Sequence, residues 1–178
     1  GVHKDGPKNG IVKLMVNPEK PKAVDGVIKA LEKADIIVLG PGSLYTSIIP
    51  NLLVDGVVDA IKKSNAVKIY VCNIMSQAGE TENYTVSDHL AAIERHSYEG
   101  IAAIVIANNA IIPESLRIKY ASEHAREVMI DSINVLKRAK LVQGNLLLVR
   151  NDKIRHNFSR LARTIMRLGS DVNYFENK

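Results

Sequence analysis

A glycine-containing loop, residues 40–54 (GPGSLYTSIIPNLLV), directly follows a short apolar run and holds a dense group of potential ligand-binding residues. Its two glycines lack a Cβ atom, so a ligand can approach the backbone closely. Pro50 is predicted to end a short helix that starts in this loop, and free amides at a helix start attract phosphate or carboxylate. The predicted ligand-binding residues here are Gly40, Gly42, Ser43, Tyr45 and Thr46. The loop therefore predicts an anion site, with a plain strand-to-helix connection as the alternative.

A second polar loop, residues 72–84 (CNIMSQAGETENY), follows another apolar run. It offers two amide side chains, hydroxyl groups, a flexible glycine and a carboxylate, which is more than a simple turn requires. The predicted ligand-binding residues of this loop are Asn73, Gln77, Gly79, Glu80 and Thr81. We expect this loop to contact a ligand.

Asp88 and His89 come shortly after this loop and are further candidates for ligand binding. The alternative is structural, because Ser87 resembles an N-cap and Asp88 in the first turn suits the helix dipole. His96 shares a helix face with His89, but two histidines alone make a poor metal site. We therefore predict no metal site and a structural role for His96.

Arg155 and His156 precede the last predicted helix, whose N-cap is Asn157. A guanidinium at the positive end of a helix is well placed to bind a phosphate through two hydrogen bonds. The alternative is that Arg155 pairs with Asp152 or with solvent. We predict that Arg155 and His156 belong to the ligand-binding site.

Composition and charge argue against several classes of protein. The 178 residues suit one domain, and two Phe, six Tyr and no Trp leave few platforms for stacking single-stranded nucleic acid. The longest apolar stretch, residues 101–107, is too short to span a bilayer. The single cysteine, Cys72, fits a buried packing role and a reducing cytoplasm. Residues 117–178 hold 13 Lys and Arg against 6 Asp and Glu. We favour the interpretation that these basic residues form a solvated surface. The alternatives are that they help an anionic ligand to bind or that they bind nucleic acid weakly.

Strand-like and helix-like segments alternate along the chain at the spacing of βαβ units. The predicted strands are 11–16, 35–39, 67–73, 101–107, 126–130 and 145–150, and the predicted helices are 22–33, 53–61, 87–96, 113–121, 132–138 and 157–168. This order predicts a parallel sheet with right-handed crossovers, in which the three central strands are near neighbours. Because ligands bind at the carboxyl ends of such strands, the three polar loops should converge on one site.

The segments GPGSLYTSIIPNLLV, YVCNIMSQAGETENYTVSDHLAAIERH and IRHN together resemble the YvcK-type gluconeogenesis factor family of the CofD-like superfamily. The resemblance implies a Rossmann-like three-layer sandwich with a mainly parallel sheet. It also implies a regulator without a settled enzymatic reaction that binds a nucleotide sugar, UDP-N-acetylglucosamine, and acts in carbon metabolism, envelope precursor supply and cell shape. Together with the composition, the resemblance predicts a cytoplasmic protein that has no certain cofactor, does not bind nucleic acid and does not insert into a membrane. A homo-oligomer is possible under this interpretation.

Two other functions stay open. One is a magnesium-dependent transferase resembling the 2-phospho-L-lactate transferases, in which Asp88 or Glu80 would hold Mg²⁺. The other is an interaction or oligomerisation unit without a ligand. Ser76, Ala78 and Asn157 stand where Thr, Pro and Asp are usual in the family. The family's glycine-rich N-terminal portion has no counterpart here, and residues 1–10 have the composition of a loop. We therefore expect the chain to be a fragment of a larger CofD-like domain.

Overall fold

Four parallel strands form the centre of the structure. A computed structural model describes residues 11–176, and the side-chain environments of residues 11–170. The sheet order is β1 (Ile36–Leu39), β2 (Val67–Val71), β3 (Ile104–Asn108) and β4 (Lys140–Gly144), and each adjacent pair is parallel. All five residues of β3 are buried, as expected for a central strand covered on both faces. The predicted α/β class and the parallel sheet are confirmed.

Helices cover the sheet on both faces, which gives the expected three layers. On one face, the side chains of Ile69, Ile104 and Ile106 form a cluster with Leu161 and Leu168 of the last helix. The other face packs in a larger cluster against the other helices, apart from the helix at residues 114–122. In chain order the helices are α1 (Val27–Lys33), a π-helical turn (Leu44–Ile48) that runs into α2 (Ile49–Leu52), α3 (Val57–Lys63), α4 (Val86–Arg95), α5 (Glu114–Ser122), α6 (Ser132–Leu136) and α7 (Phe158–Glu176).

An antiparallel hairpin stands apart from the parallel sheet. It consists of β5 (Leu147–Arg150) and β6 (Lys153–His156), with Leu147 opposite His156. A small cluster formed by Ile74, Ile112, Leu116 and Ile154 joins the loop after β2 to α5 and to this hairpin. The hairpin is therefore seated beside the carboxyl end of β2.

Several boundaries differ from the sequence predictions. Residues 11–16 are not a strand, although Ile11 and Leu14 are buried. The segment 126–130 is also not a strand, because it makes only an isolated bridge from Glu127 to Met75. Strands β4 and β6 were not predicted. The interpretation of residues 1–10 as a loop lies outside the described residues.

Two predictions about helix ends are wrong. Pro50 does not end a helix, since it lies in the first turn of α2, which continues to Leu52. A proline is compatible with this position because the first amides of a helix have no acceptor within the helix. The N-cap of α4 is Thr85 rather than Ser87, and the Thr85 side chain accepts a hydrogen bond from the backbone N–H of Asp88.

Candidate functional site

Three separate segments line one open cleft of about 420 Å³ at the carboxyl end of the sheet. They are the loop after β1, the loop after β2, and the end of β6. Six of the fourteen residues predicted to bind ligand line this cleft: Gly42, Ser43, Asn73, Gln77, Arg155 and His156. The loops are brought together because parallel strands end at the same edge of the sheet.

Gly40 shapes the first loop without lining the cleft. Its φ is +85°, and a Cβ atom there would lie 3.0 Å from the carbonyl oxygen of Val71 and 3.1 Å from Cδ1 of Ile48. Only glycine meets both constraints without strain. Gly40 thus allows the chain to turn tightly against β2, so that Gly42 and Ser43 reach the cleft.

The loop after β2 is held in place by hydrogen bonds to Arg126 and by a hydrogen bond within the loop. The backbone N–H of Ser76 donates to the carbonyl oxygen of Arg126 at 2.7 Å, and Ser76 Oγ accepts from the Arg126 N–H at 2.9 Å. The Gln77 N–H donates to Oγ1 of Thr81 at 2.9 Å. By contrast, the side-chain oxygen Oε1 of Gln77 is buried and has no hydrogen-bond partner within the described part of the chain. A buried acceptor of this kind is costly unless a ligand or water donates to it.

Two hydrogen bonds fix the hairpin that carries Arg155. The Ile154 N–H donates to the hydroxyl of Tyr120 at 2.9 Å, and Nε2 of His156 donates to the carbonyl oxygen of Cys72 at 3.2 Å. Burial lowers the pKa of His156, while the hydrogen bond to Cys72 opposes this shift. His156 is therefore a neutral anchor at physiological pH rather than a second positive charge.

Arg155 supplies the positive charge of the cleft. Its side chain is exposed, and its Nη1 donates to the carbonyl oxygen of Ile154 at 3.1 Å. The salt bridge found among residues 11–170 joins Arg138 to Glu94. Arg155 therefore does not pair with Asp152. The guanidinium is thus available to an anionic ligand.

Glu80 lies beside the cleft and limits what Ser43 can do. The hydroxyl of Ser43 donates to Oε2 of Glu80 at 2.9 Å. The oxygen of Ser43 can still accept a hydrogen bond, but its proton is already used. A carboxylate at this position also repels a phosphate, so Arg155 has to outweigh it.

Three predicted residues are buried away from the cleft. Tyr45 donates from its hydroxyl to the carbonyl oxygen of Ile11 at 2.8 Å, and burial raises its pKa. Thr81 is fully buried, and its hydroxyl supports Gln77. His89 is fully buried, its Nδ1 donates to the carbonyl oxygen of Thr85 at 2.8 Å, and burial lowers its pKa. These side chains position the loops and do not face a ligand in the cleft.

Three other predicted residues lie at the surface outside the cleft. Asp88 completes the capping box of α4, where its Oδ2 accepts from the Thr85 N–H at 2.9 Å. Thr46 is exposed, and Gly79 is exposed with its N–H donating to Oε1 of Glu82 at 2.8 Å. The structural alternative considered for Asp88 therefore agrees with the geometry.

Residues that were not predicted also line the cleft. Tyr120 and Met75 are among them. Tyr120 lies within a helix predicted from sequence, but nothing in that pattern indicates that α5 packs beside the hairpin.

The described residues include neither a metal-binding cluster of side chains nor a membrane-spanning helix. Among residues 11–170, whose side chains the structure describes, no group of three or more His, Cys, Asp or Glu residues could hold a metal ion. No helix among residues 11–176 is long and apolar enough to cross a membrane.

Comparisons with known proteins agree on one family. A family profile described as "2-phospho-L-lactate transferase CofD" matches residues 2–160. The gluconeogenesis factor of Halalkalibacterium halodurans is 42% identical over 164 residues, covering 90% of this chain and 51% of that protein. The gluconeogenesis factor of Bacillus subtilis is 38% identical over 160 residues, covering 89% of this chain and 50% of that protein.

Solved structures give the same result. A UPF0052 family member from Bacillus halodurans matches with a TM-score of 0.85 at 40% identity, covering 88% of this chain and 51% of that chain. The chain spans about half the length of these relatives. On the profile match, the sequence identities and the shared fold, the chain belongs to the CofD/UPF0052 family, among its gluconeogenesis factor homologues.

Proposed function

We propose that the cleft binds a nucleotide sugar of the UDP-N-acetylglucosamine type, and that the chain acts as a cytoplasmic regulator of carbon metabolism and cell shape. The observation that carries the proposal is the meeting of three polar segments in one cleft, with Ser43, Gln77 and Arg155 from different elements. Membership among the gluconeogenesis factor homologues supports the metabolic part.

The cleft suits a ligand with a charged centre and polar ends. Its volume of about 420 Å³ is within the ordinary range for small-molecule sites. The guanidinium of Arg155 provides several hydrogen-bond donors in one plane, which suits a diphosphate. A helical segment begins directly after Ser43, and its first backbone N–H groups have no acceptor within the helix, so they can donate to the ligand. Asn73 and Gln77 offer amide groups to a sugar or base, and the unpartnered Oε1 of Gln77 requires a donor such as a sugar hydroxyl.

The first test is calorimetric titration of UDP-N-acetylglucosamine into the 178-residue chain and its Arg155→Ala variant. Hydrogen bonds to charged groups contribute about 1.5–3 kcal/mol each, so losing Arg155 should weaken binding by roughly 10- to 150-fold. Arg150→Ala is the matched control, because Arg150 is an exposed arginine of the same hairpin and does not line the cleft. Equal affinity of wild type and Arg155→Ala, or no binding at millimolar ligand, would contradict the proposal.

The transferase function is the second candidate, because the matching family profile carries the name of a transferase. Phosphoryl-linked transfer needs charge neutralisation, commonly by Mg²⁺ held through one or two carboxylates and the substrate phosphates. The side chains present fit this poorly, since Asp88 caps α4 and Glu80 accepts from Ser43. Titration of the nucleotide sugar with and without Mg²⁺ separates the two candidates. The transferase function would be favoured if the nucleotide sugar binds tightly only when Mg²⁺ is present, and if Glu80→Gln removes this effect of Mg²⁺ on binding.

A further inference from the structure

Unused hydrogen-bond acceptors and unused donors reach the cleft from different segments. Oε1 of Gln77, in the loop after β2, is buried and has no hydrogen-bond partner within residues 11–170. The hydroxyl of Ser43 donates its proton to Oε2 of Glu80 at 2.9 Å, so its oxygen can still accept. Arg155, on the hairpin, has a guanidinium that can only donate. These segments therefore suit different parts of one ligand.

Glu80 brings a negative charge to the edge of the cleft. It is half-buried, and its carboxylate accepts from the hydroxyl of Ser43. Its backbone N–H donates to the carbonyl oxygen of Gln77 at 3.2 Å. Both contacts join Glu80 to residues that line the cleft. Within residues 11–170, no basic side chain forms a salt bridge with Glu80. Its charge therefore acts on any ligand group that reaches Ser43.

The repulsion is large enough to select between ligands. A ligand group in contact with Ser43 lies within about 8 Å of the Glu80 carboxylate, because one hydrogen bond joins these two residues. At this distance, two unit charges of the same sign weaken a binding constant about 2-fold in bulk water and about 30-fold at the effective dielectric constant near a protein surface. A neutral hydroxyl avoids this repulsion and can donate to Oε1 of Gln77, which a carboxylate cannot do.

We propose that Glu80 determines specificity by excluding nucleotide sugars whose sugar carries a negative charge. This assignment rests on the proposed function and adds the direction of the ligand in the cleft. The diphosphate lies at Arg155, and a neutral, hydroxyl-rich sugar lies against Ser43 and Gln77. Sugar hydroxyls donate to the unused acceptors there, whereas the carboxylate of a uronic acid is repelled by Glu80.

The test compares UDP-N-acetylglucosamine with UDP-N-acetylglucosaminuronate, in which a carboxylate replaces the CH₂OH group of the sugar. Each ligand is titrated calorimetrically into the 178-residue chain in the presence of EDTA, so that no divalent cation bridges carboxylates. We expect wild type to bind the uronate more weakly by roughly 2- to 30-fold. Glu80→Gln keeps an acceptor for Ser43 and removes the charge, so it should remove most of this difference.

Glu82→Gln is the matched control. Glu82 is an exposed glutamate of the same loop that does not line the cleft, and its Oε1 accepts from the Gly79 N–H, an acceptor that glutamine keeps. We expect Glu82→Gln to retain the wild-type ratio of the two affinities. Glu80→Ala protects the test against misfolding of Glu80→Gln, because it removes the same charge and should change the ratio in the same direction.

The possible results separate this assignment from the proposed function. The assignment is overturned if wild type binds both ligands equally well, or if the Glu80 variants keep the wild-type ratio. It is also overturned if Glu82→Gln changes the ratio as much as Glu80→Gln does. In each of these cases UDP-N-acetylglucosamine still binds, and the proposed function stands. If wild type does not bind UDP-N-acetylglucosamine, the proposed function and this assignment fail together.

Discussion

Replacing Gly169 with alanine tests how closely α7 packs on the sheet. A Cβ atom at this position would lie 2.2 Å from Cδ1 and 2.7 Å from Cγ1 of Ile36. In an open helix, alanine is more favourable than glycine by about 1 kcal/mol. Overpacking of a core contact costs about 1–3 kcal/mol, and contacts this short belong in the upper half of that range. We therefore expect a net loss of about 1–2 kcal/mol in the free energy of unfolding.

Urea denaturation followed by circular dichroism measures this loss. Ile36→Ala removes both clashing atoms, so Gly169→Ala made in that background should stabilise the chain by about 1 kcal/mol. The sign of the effect thus reverses between the two backgrounds. Ser170→Ala is the control, because Ser170 is the exposed neighbour on the same helix and its replacement should change stability by less than about 0.5 kcal/mol. If Gly169→Ala stabilises the protein that retains Ile36, the close approach of α7 to β1 is refuted.

The remaining predictions concern the capping box and the buried histidines. Thr85→Ala should lower the free energy of unfolding by about 1 kcal/mol, because it removes the side-chain cap of α4. Asp88→Ala should leave the affinity for UDP-N-acetylglucosamine unchanged in calorimetry. Weaker binding by Asp88→Ala would show that Asp88 contributes to the ligand site. Burial lowers the pKa values of His89 and His156 in the folded state below 6.5, the ordinary value for histidine. As the pH falls from 6.5 through these lowered pKa values, the unfolded chain therefore binds more protons than the folded chain. Stability in urea titrations should therefore decrease on acidification through this window, and His156→Gln should reduce the decrease. Equal slopes for wild type and His156→Gln would argue against this assignment.

The sequence determined the fold class and the approximate location of the site. The runs that form β1, β2 and β3 are mainly apolar, with Lys68 and Asn108 as the polar exceptions, as expected for strands of a parallel sheet that helices cover. Their order along the chain matches their order in the sheet. The polar loops that follow β1 and β2 were therefore predictable as neighbours, since parallel strands end at one edge.

Weakly patterned strands were not predictable from the sequence. Strand β6 carries charged residues at Lys153 and Arg155, and it is stabilised by pairing with β5 rather than by burial of every side chain. The opposite error occurred at residues 11–16, which are apolar but form no strand. Ile11 and Leu14 of this segment are buried, whereas Val12 and Met15 are exposed, and the Tyr45 hydroxyl donates to the carbonyl oxygen of Ile11. Local hydrophobicity indicates burial, but pairing partners decide whether a strand forms.

Only the tertiary structure decided which polar side chains face the cleft. Within one loop, Gln77 lines the cleft while Thr81 is fully buried, because the Thr81 hydroxyl supports the Gln77 backbone. Tyr120 joins the site from a distant helix because α5 packs against the hairpin. Sequence specifies the residue types that a loop contains, whereas the direction of each side chain depends on contacts with segments far away in the chain.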